Sequence, residues 1–310
     1  MRCALRLIAD ICDIAVITDD GDFAFEQTIT LPPSYGEFLT SLADRLGHAD
    51  PAGKVSSVGV SISGDYSAQT GLVHCPSNAL IDGQSLKADL QAALNREVWI
   101  ASHAHMLALS ARQQGEFRDS QQIFSLYLDD EVCAGQLIGD HLMLGANGLA
   151  GNWGHICLPW PVEFELEGRE CACGRSGCLN LFVSRQALSL EYQFLSEKSL
   201  SAEDIFAAAA QGDIVAESAV QIFEDRLARG LAMVINLCDP DVILLSGRMA
   251  LASRILVNIP RKWPGYVRGG APATRLEVNL PSDQLLQHAC LRGAATRPRH
   301  LPGTRNIQAG

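Results

Sequence analysis

The chain has 310 residues, 47% hydrophobic and 19% charged, with a formal net charge of −11. That is too long for one comfortable core and suits two domains or one large two-lobed unit, and the acidic balance argues against a partner held by its phosphate backbone, so no nucleic acid is expected. No stretch approaches the roughly 20 apolar residues of a membrane span, and an opening Met-Arg-Cys-Ala-Leu-Arg leaves no room for a signal peptide; the expectation is a cytoplasmic protein with no membrane contact.

Taken in chain order, residues 3–17 read as a strand, a turn near Cys12 and Asp13, and a return strand. Asp19-Asp-Gly21 then supplies a hairpin turn before a third strand over 23–31. Helical spacing over 35–46 and a β-branched run over 55–62 predict a helix followed by a strand. Residues 64–78 are loop-like with a weak hairpin, 86–94 helical, 98–100 a short buried strand and 103–114 a further helix. The same grammar restarts with strands at 123–128, 135–138 and 142–144, which predicts two related halves. Helices follow at 184–196, 201–211 and 214–238. Asp239-Pro-Asp-Val-Ile-Leu-Leu-Ser-Gly247 is a turn leading into a buried strand. A strand at 276–280 and an amphipathic helix at 283–295 precede a Pro-, Arg- and Gly-rich tail over 296–310, expected to be frayed.

Ten cysteines invite a search for pattern. Cys3, Cys12, Cys75, Cys133, Cys157, Cys238 and Cys290 are scattered singly through apolar segments and read as small buried hydrophobes in a reducing compartment. Cys171, Cys173 and Cys178 differ, being interleaved with Gly174 and Gly177 in the manner of a tight metal knuckle. One more soft ligand completes a tetrahedral zinc site, and His155 is the nearest candidate. Four protein ligands leave no open position, so such a zinc is structural.

Two motifs, Ala150-Gly-Asn-Trp-Gly-His155 and Cys171-x-Cys-Gly-x-x-Gly-Cys-Leu179, together with the 236–247 segment and Gly293-Ala-Ala, resemble those of the ROK (repressor, open reading frame, kinase) family of sugar kinases and regulators. The resemblance covers nearly the whole chain. It implies an α/β, two-lobed, actin-like (ribonuclease-H-like) ATPase fold with a zinc loop. The small lobe is expected over 1–118 and about 283–300, the large lobe over 119–282, and a flexible tail over 301–310. It also implies a homodimer, a sugar or sugar derivative as ligand, and phosphoryl transfer from ATP·Mg²⁺. Nothing precedes the first strand, so the DNA-reading helix-turn-helix of the repressor form is not expected.

Set against the family's patterns residue by residue, the chemistry is altered. The first phosphate loop, Asp-x-Gly-Gly-Thr-Lys, aligns with residues 10–15, keeping only Asp10. The second, Gly-Thr-Gly-x-Gly-Gly, becomes Asp129-Asp-Glu-Val-Cys-Ala134. Carboxylates about 4 Å from phosphate oxygens repel them by roughly 4 kcal/mol at an effective dielectric near 20; an outward, solvated acidic turn is the expectation. Asn-Asp-Ala-Asn becomes Ser102-His-Ala-His105, which puts His103 at the catalytic aspartate. The two sugar-binding glutamates become Asn152 and Asn180, Arg248 replaces a glycine on the adenosine side, and Asn78 lies one position from the family's sugar-contacting asparagine. The implied ligand set is therefore Asn78, Ser102, His103, His105, Asn152, His155 and Asn180. The reading is a sugar-kinase-like protein degenerate in ATP binding and catalysis. The alternatives are an active kinase of a hexose or N-acetylhexosamine, or a regulatory partner of an intact ROK protein.

Overall fold

A computed structural model describes residues 1–113, 117–166, 170–278 and 283–296. Their elements run β1 (Arg2–Ile8), β2 (Ile11–Ile17), β3 (Phe23–Thr30), α1 (Tyr35–Ala49), β4 (Ser57–Ile62), β5 (Asp65–Tyr66), β6 (Val73–His74), α2 (Leu86–Leu94), β7 (Glu97–Ser102), α3 (His103–Gln113), β8 (Gln122–Leu128), β9 (Val132–Ile138) and β10 (His141–Leu142). They continue with α4 (Glu163–Leu166), α5 (Asn180–Val183), α6 (Arg185–Ser196), α7 (Ala202–Ala210), α8 (Ile214–Cys238), β11 (Val242–Ser246), α9 (Ser253–Lys262), β12 (Arg275–Val278) and α10 (Asp283–Ala295). None of the described helices is long and apolar enough to cross a membrane.

Two five-stranded sheets have the orders β3-β2-β1-β4-β7 and β10-β9-β8-β11-β12. Each places its first strand in the centre, the next two strands to one side and the later strands, parallel to the first, on the other. The repeated three-strand start seen in the sequence is thus a repeated topology.

The chain divides into two compact units. Met1–Asp119, Gly135–Gly151 and the described part of Ser282–Gly310 form one; Ser120–Ala134 and Asn152–Pro281 form the other. Residues 135–151 group with the first of these units. The contacts that hold them are remote in sequence: the Asn147 carbonyl accepts from the Ala68 amide at 3.0 Å, and Gly135 lies so close to the α3 backbone that a Cβ there would stand 2.6 Å from the His105 nitrogen.

In the first unit the period-two alternation of β1 divides its side chains between two covered faces. Cys3, Leu5 and Leu7 join Val58, Val60 and Ile62 against Phe38, Leu42 and Leu46 of α1 and Leu86, Leu90 and Leu94 of α2. Ala4 faces the opposite way, with Ala15 and Ala101, toward Met106 of α3 and Leu291, Ala294 and Ala295 of α10. Small residues on that second face let helix backbones come close. A Cβ at Gly293 would lie 2.0 Å from the Met106 carbonyl oxygen, so α10 and α3 cross at a contact only glycine allows.

The second unit is built on α8, whose 25 residues start at the Asp213 cap, where the side chain accepts from the Ala216 amide at 2.9 Å. Phe223, Leu227, Leu231 and Ile235 pack into a core shared with Ile205 of α7, Leu188 of α6, Ile243 and Leu245 of β11, and Ile255 and Ile259 of α9.

Three local expectations change. The β1–β2 turn is Ala9 and Asp10, with Ile8 opposite Ile11 and Ala9 at φ +48°, while Cys12 and Asp13 lie inside β2. The expected turn near Cys12 and Asp13 thus falls three residues earlier, because Asp13 can sit inside a strand where Arg6 and Thr28, its neighbours on β1 and β3, satisfy its carboxylate. Helix α9 escaped the sequence reading, since it contains Pro260 and buries only Ile255 and Ile259. Cys157 is exposed, unlike the other single cysteines, which are buried or half-buried. The tail beyond 296 and the last two residues of the expected 276–280 strand lie outside the described residues.

Candidate functional site

Open α/β sheets bind ligands beyond the carboxyl ends of their parallel strands, and Ser102, His103 and the acidic turn 129–131 lie there. In the first unit β1, β4 and β7 end at Ile8, Ile62 and Ser102. His103 follows at once and begins α3. Its Nδ1 shares a hydrogen bond with Ser61 Oγ at 2.6 Å and its Nε2 one with Ser63 Oγ at 2.9 Å. The ring is wholly buried; burial first, then the Arg6 charge, push it down to about 3, against a hydrogen bond to the Leu7 backbone. A neutral imidazole engaged at both nitrogens is a poor acceptor for a hydroxyl proton at neutral pH.

The neighbours of His103 are also engaged. Ser102 Oγ lies 2.7 Å from Nδ1 of His105, whose ring burial pushes down to about 4. Asn78 is buried, its Nδ2 donating to the Ala9 carbonyl in the β1–β2 turn at 2.9 Å and its Oδ1 accepting from the Leu80 amide. Asp10 occupies that exposed turn, whereas the stretch aligned with the first phosphate loop runs down β2. There the buried Asp13 accepts from Arg6 Nε at 2.9 Å and from Thr28 Oγ1 at 2.6 Å, a polar ladder across three strands with no glycine and no free row of amides.

In the second unit the acidic turn 129–131 stands at the carboxyl end of β8, beside the carboxyl end of β11. The expected outward, solvated arrangement does not hold for Asp129. It is buried and clamped by Arg248, whose Nε donates to its Oδ1 at 3.1 Å and Oδ2 at 3.0 Å, with Nη2 also bonded to Oδ1. The Arg248 Nη2 reaches Asp130 Oδ2 at 3.0 Å, and Arg185 Nη1 meets Asp130 Oδ1 at 2.9 Å while its other nitrogens hold Glu203. Gly247, at φ +88°, allows this approach: a Cβ there would lie 2.3 Å from the Leu128 carbonyl oxygen. Sequence comparison flagged Arg248 and the acidic turn separately; their opposite charges were the signal that the two belong together.

The knuckle assembles as its spacing predicts. Gly174 and Gly177 adopt φ +78° and +77°, and the backbone doubles back through Cys171 N to Arg175 O at 2.8 Å and Gly174 N to Cys171 O at 2.8 Å. His155 closes a single 3₁₀ turn, Trp153–His155. The ligand atoms of His155, Cys171, Cys173 and Cys178 all lie within 4.8 Å of one another. Nδ1 of His155 is 3.4 Å from Cys171 Sγ, and Cys173 Sγ is 3.6 Å from Cys178 Sγ, close to the roughly 3.5–3.8 Å that tetrahedral ligands 2.0–2.3 Å from a zinc ion keep. One nitrogen and three sulfur donors at these spacings fit zinc.

The knuckle also sets two more of the expected ligand residues. Asn152 caps the 3₁₀ turn, its carbonyl accepting from the His155 amide at 3.2 Å. Asn180 opens α5 two residues beyond Cys178, with Oδ1 accepting from the Val132 amide at 2.9 Å, so it steadies the acidic turn from the far side. Asn78, Ser102, His103 and His105 lie in the first unit; Asn152, His155 and Asn180 lie in the second.

A family model described as the ROK family matches residues 4–297. The chain belongs to the ROK family. Among curated relatives, an N-acetyl-D-glucosamine kinase of Salmonella paratyphi A is 29% identical over 277 residues, covering 87% of this chain and 90% of that one. Among solved structures, a ROK hexokinase from Thermus thermophilus superposes with a TM-score of 0.81 at 21% identity, over 95% of this chain and 96% of that one. A ROK family glucokinase from Streptomyces griseus, in complex with glucose and AMPPNP, gives 0.75 at 21% identity, over 95% and 97%. The two-lobed ROK sugar-kinase fold is therefore that of this chain, and the cluster at His155, Cys171, Cys173 and Cys178 is a possible zinc site within it.

Proposed function

We propose that this ROK protein is a zinc-stabilised, cytoplasmic sugar-binding pseudokinase that does not use ATP·Mg²⁺ as the family's kinases do. The observation that carries the proposal is the Arg248–Asp129 clamp. At the turn aligned with the second phosphate loop, where backbone amides would face phosphate, a buried carboxylate stands, and the nearest guanidinium is already spent on it. The buried, neutral His103 at the position of the catalytic aspartate points the same way.

The proposed ligand is a sugar or sugar derivative, with Asn78, Ser102, His103 and His105 as candidate contacts in the first unit and Asn152, His155 and Asn180 as candidates in the second. Uncharged amides in place of two glutamates retain hydrogen bonds to hydroxyls but without charge assistance, so affinity is expected to be modest. Zinc held by His155, Cys171, Cys173 and Cys178 would supply a closed structural centre. A bond to the His155 ring would fix the orientation of that imidazole.

Titration calorimetry with ATP·Mg²⁺, alone and with N-acetylglucosamine, N-acetylmannosamine and glucose, tests the reading. Sugar heats without ATP heats are expected; micromolar ATP affinity would overturn it. A second reading, an active N-acetylhexosamine kinase, is favoured by the match to the Salmonella kinase over 90% of that chain. ADP release above background on any of these sugars would establish it instead.

A further inference from the structure

Cys157 stands apart from the other cysteines of the chain. It alone is exposed, while Cys173 is half-buried and Cys171 and Cys178 are buried. It follows His155 by two positions but is not among the four residues whose donor atoms converge at the knuckle. Its place is set by the backbone instead. The Leu158 amide donates to the Gly177 carbonyl at 2.9 Å and the Leu179 amide to the Ile156 carbonyl at 2.9 Å. Residues 156–158 and 177–179 therefore run antiparallel, with Cys157 directly opposite Cys178.

Hydrogen bonds on both sides of a pair, with none between its own members, define the non-hydrogen-bonded kind of antiparallel pair. Its Cα atoms are about 4.5 Å apart, and its two side chains leave the ribbon on the same face. A disulfide spans Cα separations of about 4.4–6.8 Å. Cys157 and Cys178 can thus be joined without rearranging either segment, although one faces solvent and the other lies among the zinc donors.

From this register we infer that Cys157 and Cys178 form a redox-modification site, at which a hydroperoxide oxidises Cys157 and the disulfide that follows withdraws Cys178 from the zinc shell. The inference rests on zinc occupying the knuckle and is independent of whether the protein transfers phosphate. With the metal bound, the sulfurs of Cys171, Cys173 and Cys178 are engaged, and Cys157 is the thiol left open to an oxidant. Its sulfur attacks one peroxide oxygen, the O–O bond breaks, and one water leaves a sulfenic acid behind. The Cys178 sulfur then leaves the metal and attacks the Cys157 sulfur. The S–S bond forms, the S–OH bond breaks, and the hydroxide takes up a proton and departs as a second water. Two sulfurs are each oxidised by one electron, and the peroxide is reduced to two waters. A shell that has lost one of its four donors no longer closes around zinc, and the ion is released. In a reducing compartment an exposed disulfide is returned to thiols, so the change is reversible.

Hydrogen peroxide added to the reduced, zinc-loaded chain tests the pair, with zinc release followed by a chromogenic chelator and cross-links mapped by peptide mass spectrometry without reductant. The wild type is expected to release its zinc and to yield a peptide cross-linking Cys157 to Cys178; reductant with added zinc should reverse both. Cys157→Ser, an exposed substitution outside the donor set, should bind zinc as the wild type does and keep it at the peroxide dose that empties the wild type. Zinc release from that variant at the wild-type rate would overturn the inference. So would a wild type that keeps its zinc, or a cross-link mapped instead to Cys173 and Cys178, whose Sγ atoms are 3.6 Å apart. A chain purified without zinc would count against the metal reading alone, and the cross-link map would still decide the pair.

Discussion

Arg248, two residues past the end of β11, closes onto Asp129, the first residue past the end of β8, and the two residues are 119 positions apart in sequence. Each is a departure from a glycine in the family's pattern. Together they form one ion pair at the carboxyl ends of two adjacent parallel strands, with Arg185 Nη1 3.8 Å from the same carboxylate.

Removing one partner of a buried pair leaves an uncompensated charge, which costs about 3–5 kcal/mol when nothing else can reach it. Arg185 and solvent near the half-exposed Arg248 reduce that here, so Arg248→Ala is expected to destabilise the fold by about 2–3 kcal/mol. Asp129→Asn with Arg248→Ala should recover part of the loss. Urea unfolding of the two singles and the double closes the cycle; strict additivity would show that the two side chains do not interact.

The zinc knuckle makes a prediction independent of catalysis. Cys173→Ser substitutes a poor ligand in a four-donor shell, and metal content and thermal midpoint should fall together. Chelation of the wild type should lower its midpoint similarly, because affinity for the folded site is folding free energy. Metal analysis showing one zinc per chain in the variant would remove Cys173 from the ligand set.

His103 predicts an acid-side loss of stability. Its pKa is near 3 when folded, against 6.5 for a free imidazole, so between those values the unfolded chain takes up a proton that the folded chain refuses. Stability is therefore complete above about pH 6.5 and lost as pH falls toward 3, by up to about 1.4 kcal/mol per pH unit for each such ring. His103→Asn should flatten the slope between about pH 4 and 6 by that amount. Denaturant midpoints at a series of pH values check it; an identical slope in the variant would mean that the ring is charged or exposed in the native protein.

Much of the architecture was legible before any coordinates. Alternation over residues 3–17 and its recurrence after 123 disclosed two related sheets, because strand side chains alternate faces whatever packs on them. The knuckle was equally plain, since three cysteines and two glycines within eight residues fold against one another locally. Helix α9 was not, as Pro260 interrupts the pattern and only tertiary burial of Ile255 and Ile259 holds it. Nor was the turn at Ala9 and Asp10: Asp13 looked like a turn residue until Arg6 and Thr28 appeared beside it on the neighbouring strands.

By itself, the sequence determined the family, the repeated α/β topology and the grouping of the knuckle's candidate ligands, all of which rest on local spacing and on patterns of side-chain polarity. The tertiary structure alone decided how the altered residues behave. It turned an acidic loop into a buried ion pair with Arg248 and enclosed His103 between Ser61 and Ser63. It also set Glu165 inward so that Phe164 and Leu166 face out. A charge's meaning depends on its partner and on its access to water, and here both come from residues dozens of positions away that only the fold brings together.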